Sequence, residues 1–384
     1  MKRILFLAYG GKHWVGGLYY VKNVIYTLRQ SDQFKKGWQV VVVTEPENKG
    51  LFDEFADSII IRLNCKYYTA INRRLFHLWI IYKYKIDYIY PIAADCRLWG
   101  LPHPFFCWIK RHEVCWIPDF QHLHLKQYFR EEDLKLRDTA YKYVADKGIK
   151  VVLSSNTAKK DFIYVYGASE KNIAVLPFVS AIEREVSELS EDYCTSVLKK
   201  YNIKTLDYAY IPNQFWQHKN HMTVLKMIYE LKKKMMLQNC QFVFTGNLED
   251  ERNKEHIRTL LDYIEKTGIS VQVSILGFIN RSEQLAIMKK AKVVIQPSLF
   301  EGWGTVLEDC KILGKKVLLS DIPIHREQKD ENCVLFDCIN EKDLMYKTIK
   351  IFNEQDHDTD INKQIENARM RARKYSCDFI NLLQ

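Results

Sequence analysis

Two carboxylates set eight positions apart, Glu301 and Asp309, mark the stretch of this 384-residue chain best equipped for chemistry. They lie in PSLFEGWGTVLEDCKILGKKVLLSD, from Pro297 to Asp321. The string follows AKVVIQ, a short apolar, β-branched run that reads as a buried strand, and it continues into an amphipathic helix ended by Gly314. Glu301, Gly302 and Gly304 then occupy a loop, and Asp309 falls on the first helical turns. Glycines before a helix let the backbone approach a ligand, and the first-turn N–H groups bring the positive end of the helix dipole to it. A diphosphate suits that geometry. Carboxylates accept hydrogen bonds from hydroxyls, so Glu301 and Asp309 are spaced to grip a sugar ring and a ribose on either side of it. An ordinary βα loop with a solvated acid at each end shares the bare E-x7-D pattern.

Other candidates stand at comparable junctions. YAYIPNQFWQHKNHMTVLKMI, from Tyr208, gives strand, loop and helix, with Lys219 where the helix begins. A lysine aimed into such a loop supplies the charge that a departing nucleoside diphosphate needs; a solvated lysine at a helix start is the plainer alternative. QFVFTGN and VQVSILGFI are strand patterns that end at Gly246 and Gly277, and here packed core competes with a pocket role. WIPDFQHLHLKQYF, Trp116 to Phe129, gathers Asp119, His122 and His124, although a loop histidine packs as readily as it catalyses.

The Pro297–Asp321 string resembles the E-x7-E signature of retaining glycosyltransferases of family 4, which have the GT-B fold, and the likeness runs on through SDIPIHRE, Ser320 to Glu327. Asp309 stands where that family has its second Glu. KRILFLAY, with Gly10, Gly11, Gly16 and Gly17 before LYYVKNVIYTL, resembles the family's first strand and glycine loop. Trp116 to Phe129 resembles its acceptor-side segment, with Lys126 and Gln127 departing from the usual tail. VVLSSNTAKKDFIYVYG followed by NIAVLPF resembles the end of its first domain, with Ser155 or Asn156 as a helix cap. Where the family carries an Arg five or six residues before the Lys, this chain has Asn213 and Gln214, neutral donors in place of a cation.

The resemblance implies transfer of a sugar from a UDP- or GDP-sugar to a hydroxyl of a glycan or lipid-linked glycan, with retention, in bacterial surface polysaccharide synthesis. It implies a donor site formed by Gly16, Gly17, Gln214, Lys219, Gly246, Gly277, Phe278, Ile279, Glu301, Gly302, Trp303, Gly304, Thr305 and Asp309, and an acceptor side formed by His122 and His124. Glu301, Lys219, His122 and Asp119 would serve the reaction itself, with amides around Gly304 and Thr305 joining Lys219 on the leaving diphosphate. No cofactor is implied, and no D-x-D loop suggests a metal. A nucleotide-sugar epimerase can use the same fold, and an inactive partner subunit would keep it, so fold alone does not choose the reaction.

The elements that must position these residues are strands alternating with helices throughout, the pattern of parallel sheets covered on both faces, twice over. With 47% apolar residues the chain can fill two cores. The expected architecture is α/β: two Rossmann-like domains over residues 1–183 and 184–362 facing a deep cleft, and a helix at 363–384 crossing back to the first. SAIEREVSELSEDYCTS, rich in acids and serines, is the expected hinge. Ten scattered cysteines without a CxxC pair argue against a disulfide framework or structural zinc and for a reducing cytoplasm. MKRILFLAYGG is too short in its apolar part for a secretory signal, and nothing has the length of a membrane span. Of the net charge of +10, residues 1–150 account for nearly all, with 24 Lys and Arg against 15 Asp and Glu. Arg62 to Ile86 contains no acid and mixes Arg73, Arg74, Lys83 and Lys85 with Tyr67, Tyr68, Phe76, Trp79 and Tyr82. Such a segment fits peripheral contact with the anionic inner face of a membrane, each basic residue adding about 1 kcal/mol. No nucleic-acid module is recognisable, and no nucleic-acid partner is expected.

Overall fold

The computed structural model describes residues 1–9, 15–48, 50–55, 57–62, 70–93, 113–204, 207–248, 253, 255–355 and 360–383. They form two compact units. The first comprises Met1–His122, Arg130–Ala181 and Ala368–Gln384, and the second Leu123–Phe129 and Ile182–Asn367.

The first unit is built on strands β1 (Lys2–Ala8), β2 (Trp38–Thr44), β3 (Ile59–Arg62), β4 (Tyr88–Ala93), β5 (Glu113–Ile117), β6 (Lys150–Leu153) and β7 (Ile173–Val175), in the order β3-β2-β1-β4-β5-β6-β7. The second holds β8 (Tyr208–Pro212), β9 (Gln241–Thr245), β10 (Val273–Ile275), β11 (Val293–Gln296), β12 (Val317–Ser320) and β13 (Cys333–Phe336), in the order β10-β9-β8-β11-β12-β13. Every pairing is parallel. Parallel strands covered by helices are buried on both faces, which is why they read as unbroken apolar runs: Val40 to Val43 in β2 and Val293 to Ile295 in β11 are buried without alternation. The two tyrosines of β8 join this interior because their hydroxyls find partners, Tyr208 donating to the Ile287 carbonyl at 2.6 Å and Tyr210 pairing with Thr245 Oγ1 at 2.7 Å.

The strand order of each sheet reverses once, between β1 and β4 and between β8 and β11. At such a reversal the loops leaving the carboxyl ends of neighbouring strands part to opposite faces and leave a crevice, the general ligand position of open α/β sheets. Lys219 follows β8 and Glu301 follows β11, so the two residues that the sequence marks most strongly stand on the two loops at the second reversal.

Several local expectations change. Gly16 and Gly17 lie in the first turn of the helix Val15–Leu28 rather than in a loop before it, and a Cβ at Gly16 would meet open space. Gly10, Gly11, Tyr67 and Tyr68, and the side chains of Arg73 and Arg74, lie outside the described residues. Phe76 is core, packed with Ile80 and Ile81 against β1 and β2, so it is no part of a surface patch. The boundary between the units, Ala181 to Ile182, falls inside the acid- and serine-rich stretch from Ser180, and the stretch itself contains two helices, Glu183–Glu188 and Glu191–Lys200. Its composition is that of helix starts: acids in both first turns, and Ser190 capping the second by accepting from Tyr193 N at 3.1 Å.

Candidate active site

Two short loops define the site in the second unit. After β8 the chain makes a single turn, Gln217–Lys219, and Asn220 takes a left-handed conformation, φ 57°, before the helix His221–Lys233. After β11 the loop 297–304 leads into the helix Thr305–Ile312. The loops are tied to each other: the Asn220 side-chain amide donates to the Pro297 carbonyl at 3.0 Å, and Leu299 N–H donates to the His218 carbonyl at 2.8 Å. This lacing fixes Lys219 against Glu301, Nζ to Oε1 at 2.6 Å, with side chains only 14% and 11% exposed.

Ser298 Oγ donates to the same Glu301 oxygen at 2.6 Å. Burial by itself would raise the Glu301 carboxyl, but the Lys219 ammonium, the nearby His325 and these two hydrogen bonds outweigh it and hold the group down at about 2. Glu301 is therefore an anion at any physiological pH. His325 is buried beneath it, and burial lowers its pKa although the Glu301 charge opposes that shift. Its Nδ1 lies 2.9 Å from the Ser320 carbonyl, an oxygen that only accepts, so Nδ1 carries the proton in the neutral ring. Ser320 Oγ donates to the Ser298 carbonyl at 2.5 Å, which steadies the loop from below.

The helix start differs from expectation. Gly304 N–H donates to Gln328 Oε1 at 3.0 Å, while Gln328 Nε2 donates to the Gly304 carbonyl at 2.8 Å and to Glu308 Oε1 at 2.9 Å. The Gly304 amide is thus engaged inside the protein, and the donors at this end begin with exposed Thr305. Gly302 and Trp303 are half-buried in the same loop. Asp309 is buried, and its carboxylate is held by Arg281, Nη2 to Oδ2 at 2.6 Å. Shorter than Glu by one methylene, it meets a neighbouring helix instead of standing as an open acid beside Glu301.

The other donor-side candidates surround these loops. Gly246, with φ 146°, lies so close to the β8 loop that a Cβ would come 2.1 Å from the Asn213 carbonyl oxygen, so any side chain there is excluded. Its N–H donates to the Gly277 carbonyl at 2.9 Å, and Gly277 itself is left-handed, φ 70°. Gln214 Oε1 accepts from Asn247 N–H at 2.8 Å, so this side chain braces the loop after β9. Phe278 is 67% exposed and Ile279 half-buried, which leaves the Phe278 ring open to a flat partner.

His122 and Asp119 belong to the first unit and are engaged there. His122 is buried among Phe120, Tyr141 and Tyr166, with Nε2 2.8 Å from the Tyr166 hydroxyl, which donates to Asp138 at 2.6 Å. Burial and the Arg137 charge lower its pKa. Asp119 Oδ1 caps the short helix Gln121–His124 by accepting from Gln121 N–H at 2.9 Å. His124, in contrast, is exposed and falls in the second unit, its ring stacked on Phe300 at 5.3 Å, beside Glu301.

The structure thus brings together Lys219 and Glu301, adds Ser298, His325 and Gln328, and engages Asp309, Gln214 and the Gly304 amide elsewhere. His325 and Ser298 were within reach of the sequence, inside the SDIPIHRE and Pro297–Asp321 strings; Gln328, just past Glu327, carries no local signal. Among the described residues no cluster of His, Cys, Asp and Glu is placed to hold a metal, and no helix is long and apolar enough to cross a membrane.

Residues 198–370 match the family model described as glycosyl transferases group 1. Over 105 residues the chain is 31% identical to the O-antigen biosynthesis glycosyltransferase WclY of Escherichia coli, a match spanning 27% of this chain and 27% of that protein's length. Among solved structures, a glycosyltransferase from Rickettsia africae aligns with TM-score 0.69 at 17% identity, covering 100% of this chain and 95% of that one. Anabaena Alr3699/HepE, in complex with UDP and glucose, aligns with TM-score 0.69 at 13% identity, covering 98% and 95%. At such identities the likeness speaks to fold: two Rossmann-like units, each on a parallel sheet, the fold class of GT-B glycosyltransferases.

Proposed function

We propose that this protein is a retaining glycosyltransferase that moves a sugar from a nucleotide-sugar donor to a hydroxyl of a glycan, in bacterial surface polysaccharide synthesis. The observation that carries this reading is the Lys219–Glu301 pair, buried at the strand-order reversal of a unit whose sequence matches the group 1 model. Glu301, anionic and oriented by Ser298, accepts from hydroxyls of the donor sugar; Lys219, fixed by Glu301, meets the diphosphate as negative charge develops on it. The donor base lies against the Gly246, Gly277 and Phe278 loops. Exposed His124 faces the acceptor side, while buried His122 supports the fold of that segment. No metal is assigned a part, so transfer is expected to persist in a chelator. A lipid-linked acceptor would bring the protein to a membrane face through the helix Ala70–Tyr84, whose outer side carries Leu75, Trp79 and Tyr82, 60%, 47% and 87% exposed.

The test is a thermal-shift and hydrolysis screen against UDP-, GDP-, ADP- and dTDP-sugars, with Glu301→Ala as control. Stabilisation by donors of one base, with slow release of nucleoside diphosphate that falls at least a hundredfold in Glu301→Ala, is expected. Conversion of the donor to an epimer without acceptor would replace the transferase reading with an epimerase, and no binding of any donor would leave an inactive scaffold.

A further inference from the structure

Arg281 breaks a local rule. It is the first residue of the helix Arg281–Lys290, where a cation opposes the helix dipole, although Asn280 caps that helix in the ordinary way by accepting from Glu283 N–H at 2.9 Å. The charge is held there by an ion pair with Asp309, on the helix that follows the Glu301 loop. The two helices pack side by side, Cys310 Sγ reaching Met288 Sδ at 3.7 Å, and both begin at carboxyl ends of strands in the second sheet, after β10 and β11. Arg281 Nη1 also donates a hydrogen bond to Gln284 Oε1 at 2.8 Å. Asp309 is almost wholly inaccessible while the Arg281 side chain keeps 28% exposure, so the acid faces protein and the arginine is the partner that reaches solvent. A cation maintained against its helix dipole, by a buried carboxylate, at the ligand-binding edge of the sheet is a prepared anion contact.

The site also needs one. Lys219 is already balanced by Glu301, and the Gly304 amide is engaged by Gln328. A nucleoside diphosphate brings two to three negative charges to these loops. Resting on the glycosyl-transfer reading, we propose that Arg281 binds a phosphate of the donor's diphosphate and that Asp309 is the residue that positions it. The acid in the signature then acts through a cation rather than on the ligand.

Calorimetric titration of wild type, Arg281→Gln, Arg281→Lys and Asp309→Asn with UDP, GDP, ADP and the corresponding nucleosides tests this. For the base that binds, Arg281→Gln is expected to weaken the diphosphate at least tenfold and the nucleoside less than twofold, Arg281→Lys to recover part of the loss, and Asp309→Asn to weaken the diphosphate several-fold with the same selectivity. If Arg281→Gln fails to fold because Asp309 is left buried and unpaired, the double variant Arg281→Gln/Asp309→Asn removes both charges and carries the same expectation. Equal losses for nucleoside and diphosphate, or no loss, would overturn the assignment. Lys219→Ala separates the levels: diphosphate binding lost there but kept in Arg281→Gln removes only Arg281, whereas a wild type that binds no nucleotide removes the glycosyl-transfer reading as well.

Discussion

Single buried rings set the acid sensitivity expected of this protein. His221, stacked on Phe215 at 4.4 Å, is held down at about 3 by burial first, then by His256 and Lys219. A base whose pKa is lower when folded binds fewer protons in the native state, so its contribution is complete above the ordinary value of 6.5 and is lost as pH falls toward about 3. Glu301, an acid held at about 2, contributes above the ordinary carboxylate range and loses that contribution only as pH falls toward 2, a lower window. Urea unfolding at pH 7.5, 6.5 and 5.5 is therefore expected to show stability falling below 6.5, with His221→Leu flattening the slope by up to about 1.4 kcal/mol per pH unit. Identical slopes in both proteins would assign the titration to other groups. Lys219 and Glu301 were legible in the sequence because each sits in one strand-loop-helix string. The Arg281–Asp309 pair and the Gln328 clamp were not, since they join neighbouring helices 28 and 24 residues apart in sequence, where no period or local motif records who meets whom.

At the scale of elements, the same apolar period is read differently by the core and by solvent. The helix Ala70–Tyr84 sends Phe76, Ile80 and Ile81 into the first unit, and the sequence, which mixes aromatics with bases on all sides, could not say which aromatics stay out. Leu75, Trp79 and Tyr82 recur at helical spacing on the other side, with Lys83 Nζ 4.4 Å above the Trp79 ring. Rings that are half apolar, flanked by lysines, suit the headgroup layer of a bilayer. Flotation with phosphatidylglycerol-containing vesicles is expected to recover the wild type and to lose Leu75→Ser/Trp79→Ser/Tyr82→Ser. Lys83→Glu/Lys85→Glu should weaken binding by at least tenfold, since each basic residue near the surface is worth about 1 kcal/mol, and more so at low salt. Binding unchanged in both variants would remove this helix as the contact. The stretch from Ser180 teaches the complementary lesson: serines and acids that look like a weak linker are helix-start chemistry once helices flank them.

For the molecule as a whole, the order of the chain and the membership of the units part company at the end. The last helix, Ile361–Leu383, contributes its residues from Ala368 onward to the first unit, although the second unit precedes it in sequence. Phe379 is fully buried and meets Tyr90 edge-on at 5.1 Å, Ser376 Oγ donates to the Thr27 carbonyl at 2.7 Å, and Lys150 Nζ donates to the Leu382 carbonyl at 2.6 Å. The core of the first unit is thus closed by residues more than 180 positions downstream of its last strand, and it cannot be completed before those residues are made. Phe379→Ala deletes a large buried ring and is expected to cost the first unit about 3–5 kcal/mol. The second unit has its own core, from Ala209 to Ile351, without any residue of this segment. Scanning calorimetry should therefore show the first unit's transition lowered in Phe379→Ala, while the transition that a nucleoside diphosphate raises keeps its midpoint and its ligand response. A single transition that falls as one, carrying the nucleotide-stabilised unit with it, would mean that the two units share their stability despite their separate cores.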